Sequence, residues 1–183
     1  MVKELKPLRV TCDSVDCENG LHSFLRKRGM TPDEEGHCNT CGADLIDWNR
    51  IHERNLEDID FIFDSLKYEK WRHYMWHLEI PDEVRHLAKR RSRDALEESS
   101  LKSLKRTIEK PIQEQFRDGT QTPREDSPHA RIYHYAQHAT ATCCRKCLNY
   151  WHGIPLDQRL GPQELDYCSE LVMRYIDDRL GRW

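Results

Sequence analysis

Four cysteines near the N-terminus are spaced as metal ligands. Cys12 and Cys17 are separated by four residues, Cys38 and Cys41 by two, and the two pairs by twenty. Each pair can offer two thiolates from one tight turn, and two such turns fill the four tetrahedral corners that Zn²⁺ prefers. Gly36 and Gly42 flank the second pair and let the backbone curl so that its N–H groups face sulfur. Four cysteine ligands leave no open coordination position, so a zinc ion held by Cys12, Cys17, Cys38 and Cys41 is structural rather than catalytic. His22 and His37 lie close enough in sequence to replace one of them, but both read more simply as exposed histidines.

A second constellation lies in the run His138-Ala139-Thr140-Ala141-Thr142-Cys143-Cys144-Arg145-Lys146-Cys147. A helix beginning near Thr142 carries Cys144 and Cys147 in its first turns, where the dipole and the free N–H groups favour thiolate. His138, Cys144, Cys147 and His77 make a candidate set for a second zinc. Cys143 and Cys144 cannot be separated as ligands from spacing alone, and His73, His134 and His152 are further candidates. A competing reading treats Cys144 and Cys147 as small hydrophobes on the face that also carries Leu148 and Trp151. If His138, Cys144 and Cys147 left one position open, the metal could activate water for hydrolysis. Gln121, Thr122, Thr140 and Thr142 would then line a polar pocket.

Charge separates the regions. Residues 1–64 hold eight Lys and Arg against fourteen Asp and Glu, whereas residues 85–117 hold ten against five. Acidity in the first region opposes phosphate binding there. Arg85, Lys89, Arg90, Arg93, Lys102 and Arg106 form helical rows that could follow a nucleic-acid backbone. The simpler reading is a solvated helix face balanced by Glu97 and Glu98.

These residues need elements to hold them. Residues 1–56 are rich in turn formers and resemble a zinc ribbon. Residues 57–183 read as a compact helical domain bearing the His/Cys cluster. The fold class expected is α+β, mostly α. Ile59, Ile62, Phe63 and Leu66 recur at helical spacing, as do Trp71, Tyr74, Met75 and Leu78. Pro81-Asp82 starts a helix that carries Val84, Leu87 and Ala88. Ser99-Ser100 marks an expected break, Pro111 a kink, Asp118–Pro128 a loop, and Arg131–Tyr135 a strand or extended lead-in. The last helix runs from Gly161-Pro162 to Gly181 with Leu165, Cys168, Val172, Tyr175, Ile176 and Arg179 near one stripe.

The run from Ala136 to Leu148, with Gly119–Pro123 before it and Trp151-His152-Gly153-Ile154-Pro155 after it, resembles a bacterial domain family of unknown function, number 4186. His77-Leu78 and the amphipathic helix Glu164–Leu180 extend the similarity over residues 58–181. The resemblance implies a mostly helical domain and brings no activity with it. The ribbon is an addition to the family pattern. Residues Arg124–His129 are more acidic than the family's loop, which weakens a phosphate-binding role.

No stretch approaches the roughly 18–20 apolar residues that span a bilayer, and Met1–Lys6 lacks the apolar segment of a signal peptide. Reduced cysteines in a cytoplasm favour metal over disulfides. The functional expectation is a zinc-binding accessory protein that docks on a protein or nucleoprotein assembly, with no membrane partner. The alternatives are a metal-dependent hydrolase and a nucleic-acid-binding module.

Overall fold

The computed structural model describes residues 9–115, 122–123 and 130–181. Most of the expected loop Asp118–Pro128, with Gly119, Gln121 and the acidic run Arg124–His129, lies outside the described residues. Those residues form eight α-helices and almost no β-structure, so the mostly α expectation holds. The helices are α1 (Trp48–His52), α2 (Ile59–Leu66), α3 (Lys70–His77), α4 (Asp82–Lys89), α5 (Arg93–Leu104), α6 (Ile132–Ala139), α7 (Arg145–His152) and α8 (Pro162–Leu180). Helix α8 is the spine, packed on α5 and α6, while α3 packs on α6 and α1 on α7.

Local chemistry explains most boundaries. In α8, the Gly161 N–H donates to Glu164 Oε2 at 2.9 Å and Pro162 fills the first turn without wasting a donor. Leu165, Cys168, Val172, Tyr175 and Ile176 are all buried, as the stripe requires. Ser92 caps α5 through its hydroxyl, which accepts from the Ala95 N–H. Gly153 ends α7 at φ +62°, a left-handed position that glycine takes without steric cost.

Two expected elements differ. Ser99-Ser100 does not interrupt α5, because Ser100 is buried among the helices and the Ser99 hydroxyl accepts from Arg91. Packing against α8 outweighs the weak helix propensity of serine. Of the segment Arg131–Tyr135, only the N-cap Arg131 is extended; Ile132–Tyr135 is helical, within α6. Its Ile and Tyr side chains have β propensity, but burial of Ile132, Tyr135 and Ala136 on one face selects the helix.

The N-terminal module has little regular structure. Asp16 and Leu21 form an antiparallel bridge, and His22 and Glu69 a parallel one. In the latter, the His22 N–H donates to Tyr68 O at 2.8 Å and the Lys70 N–H to His22 O at 2.9 Å. The module shares the helical core. Phe24 meets Trp151 edge-on at 5.9 Å and Trp48 lies 5.1 Å from Trp151.

Candidate metal centres

The first centre is assembled from three turns. Cys17 opens the short 3-10 turn Cys17–Asn19, His22 follows the Asp16–Leu21 bridge, and Cys38 and Cys41 lie in the turn closed by the Gly42 N–H to Cys38 O. The ligand atoms of Cys17, His22, Cys38 and Cys41 all lie within 4.8 Å of one another. The Cys17 and Cys38 sulfurs are 3.8 Å apart, and His22 Nδ1 is 3.4 Å from Cys41 Sγ. A zinc tetrahedron with Zn–S of about 2.3 Å has S–S edges of about 3.8 Å, and slightly shorter S–N edges. Burial works to raise the Cys38 pKa, but hydrogen bonds from the backbone of Cys41, Ser23 and Thr40 outweigh it and hold the thiol at about 6. Cys17 is pushed the other way, up to about 12, by burial and by the neighbouring Cys41 and Cys38 thiols.

Three of the four expected ligands are brought together here, and Cys12 is not one of them. Four residues separate Cys17 from Cys12 and four separate it from His22, so spacing fits either partner. The backbone decides: both sides of His22 are bonded to the α2–α3 junction, which fixes its ring on Cys41. Nor is His22 an exposed histidine, since it is 6% exposed. His37 stays outside the group and faces Asp44 at 3.8 Å.

The second centre is a thiol triad. Cys143, Cys144 and Cys147 lie within 4.8 Å of one another, with Cys147 Sγ 3.6 Å from Cys143 and 3.4 Å from Cys144. Cys144 is the N-cap of α7, so the triad sits at that helix's positive end. Cys143 and Cys144 both belong to the group. His77 does not: its Nδ1 bonds to His73 O at 2.7 Å and its ring packs on His73. His138 adjoins the triad without joining it. Hydrogen bonds from the thiols of Cys144 and Cys147, and then from the His138 ring, hold Cys143 well below the ordinary thiol value. The Nδ1 atom of His138 is buried with no hydrogen-bond partner among the described residues.

Sequence reasoning missed Arg72 and Glu69. Both are fully buried. Arg72 donates to Glu69 Oε2 at 3.0 Å, to Cys147 Sγ at 3.0 Å, to His138 O at 2.6 Å and to Tyr150 Oη at 3.2 Å. Glu69 also accepts from Tyr150 Oη at 2.8 Å and Trp151 Nε1 at 2.7 Å. A guanidinium beside the sulfurs of Cys143 and Cys147 offsets thiolate charge. No local motif announces this pair. Its sequence signal is an ionisable (i, i+3) pair in an aromatic-rich stretch.

Thr140 and Thr142, expected to line a polar pocket, are fully buried and 3.1 Å from each other through their hydroxyls. Thr122 lies among the described residues, and none of these threonines lines the groove over α4–α6 or the cleft beside Trp48. His152 is internal, with Nε2 bonded to Thr140 O and Nδ1 to Tyr167 Oη, both at 2.9 Å. Cys168 is core, as expected. Of the basic residues, Lys89, Arg90, Arg93, Lys102 and Arg106 are exposed and Arg85 is half-buried. Arg93 is engaged by Asp177 and Glu97.

The arrangement defines a mostly helical protein with two clusters suited to a thiophilic metal. The chain matches the family described as Domain of unknown function (DUF4186) over residues 60–177, and it belongs to that family. The matched region holds the triad and its Arg72–Glu69 partners, while the first centre precedes it. No solved structure matches the chain. No described helix is long and apolar enough to cross a membrane.

Proposed function

We propose that the chain is a zinc-binding interaction protein of the cytoplasm, in which Cys17, His22, Cys38 and Cys41 hold a structural Zn²⁺. The observation that carries this reading is the closed tetrad, whose spacings match a zinc tetrahedron and leave no corner for substrate. Zinc there fixes the fold of an N-terminal module that has almost no secondary structure of its own.

The docking face of this reading is the groove between α4, α5 and the start of α6. It has a volume of about 310 Å³, is lined by Val84, Leu87, Ala88, Leu96, Ile132 and Tyr133, and is flanked by Arg91 and Arg131. An apolar floor with a basic rim suits an acidic, partly apolar segment of a protein partner. The hydrolase reading is disfavoured by the burial of Thr140 and Thr142 beside the triad. The nucleic-acid reading rests on the exposed lysines and arginines of α4 and α5.

Elemental analysis of the purified chain beside Cys38→Ser tests the zinc assignment. Zinc in the wild type and its loss from one site in the variant are expected. Equal zinc in both would overturn it. Retention of the wild type on DNA or RNA, falling steeply with salt, would overturn the protein-docking part.

A further inference from the structure

Cys12 is left over from the first centre, and the triad of Cys143, Cys144 and Cys147 is one ligand short of a tetrahedron. Cys12 lies in the same neighbourhood as the triad. Its carbonyl is held by the buried Ser23 hydroxyl at 3.2 Å, next to His22, whose backbone is bridged to Glu69. Glu69 in turn grips Arg72, and Arg72 donates to Cys147. The Cys12 side chain is half-buried against the same core as Cys144, the half-buried member of the triad. Its thiol feels the charges of Arg72, Cys143, Glu69 and Cys144.

We infer that Cys12, Cys143, Cys144 and Cys147 form a second, all-thiolate site for Zn²⁺, which fastens the N-terminal module to the helical domain. Four features fit this assignment. The triad's S–S distances of 3.4 and 3.6 Å are near the edge of a zinc–thiolate tetrahedron and far beyond a disulfide. Arg72 supplies the charge-assisted N–H···S bond that buried zinc thiolates need from their surroundings. The positive end of α7 faces the same sulfurs. Cys12 lies within the Thr11–Ser14 turn, outside any helix, so it can close on the metal without disturbing a helix. His138 is fixed within α6, edge-on to Trp71, and serves as a hydrogen-bond donor to Cys143. Binding releases the thiol protons to solvent and changes no oxidation state.

The site rests on the proposal that this chain binds zinc, and the test separates the two. Zinc would be counted on the full chain by elemental analysis and native mass spectrometry. Two ions are expected, with one lost in Cys38→Ser and the other in Cys144→Ser. One ion, lost in Cys38→Ser and kept in Cys144→Ser, overturns the second site and leaves the first standing. No zinc at all overturns both.

The fourth ligand is read by Co²⁺ substitution. Cys12→Ser should lower the sulfur-to-cobalt charge-transfer absorption by one thiolate's share and shift the visible bands of one site. Cys12→His should keep two metals with a shifted spectrum, and Cys168→Ser should leave the spectrum unchanged. An unchanged spectrum in Cys12→Ser, with loss of one metal in His138→Ala, would replace Cys12 by His138 and overturn the inference. The thermal midpoint of each variant confirms that the protein compared is folded.

Discussion

Glu69 ties the N-terminal module to the helical domain, through its bridge to His22 and its bond from Arg72. It is fully buried, and Arg72, Tyr150 and Trp151 converge on its two oxygens. Burial pushes its pKa up, and Arg72 and the two side-chain donors oppose that push. Removing the carboxylate strands the Arg72 guanidinium in the core, which costs about 3–5 kcal/mol for a buried pair. Glu69→Ala should therefore lower the urea midpoint by that equivalent with little change in slope. His152 provides a pH dependence. Burial, opposed by the bond to Thr140 O, drives its pKa from 6.5 down to about 4. Unfolded, the imidazole takes a proton near 6.5; folded, it refuses one until about 4. Stability from this residue is therefore complete above about 6.5 and is lost as pH falls toward 4, by about 3 kcal/mol at the bottom of that window. His152→Gln, compared with wild type by denaturant titration at each pH, should show a flatter slope between those values.

Among the elements, α7 shows what the run from His138 to Pro155 encodes. Arg145, fully buried, donates to the carbonyls of Ile108, Pro155 and Gln158. Gln137 bonds to Ser103, Thr107 and Thr142. Gly153 has a positive φ, and a Cβ there would meet the His52 ring at 2.9 Å, so Gly153→Ala should cost about 1 kcal/mol or more. Loss of the α5 cap in Ser92→Ala should cost about 1 kcal/mol, read from the same midpoint. Helices α2 and α3 were legible from the helical spacing of their apolar residues, and α4 and α8 also from the prolines at their starts. Helix α6 was not, because His134, Gln137 and His138 interrupt its apolar pattern, and the partners that let Gln137 and His138 be buried come from α3, α5 and distant loops. The same limit applied to the metal centres. Spacing found Cys17, Cys38 and Cys41 but favoured Cys12 over His22, although four residues separate each of them from Cys17. The choice came from the His22–Glu69 bridge, which joins residues 47 positions apart.

For the whole molecule, the two clusters of candidate metal ligands are linked across one seam. His22 belongs to the first centre and is bridged to Glu69, whose carboxylate holds the arginine of the second. Phe24, Trp48 and Trp151 fill the same seam with aromatic surface. The N-terminal module therefore has no separate core, and metal removal should propagate into the helices. A chelator should lower the thermal midpoint of the whole chain in a single transition, and re-addition of Zn²⁺ should restore it. The most direct measurement is the zinc content of His22→Ala beside wild type and His22→Cys. One zinc fewer is expected in His22→Ala and the full complement in His22→Cys. Wild-type zinc content in His22→Ala would contradict His22 as a ligand.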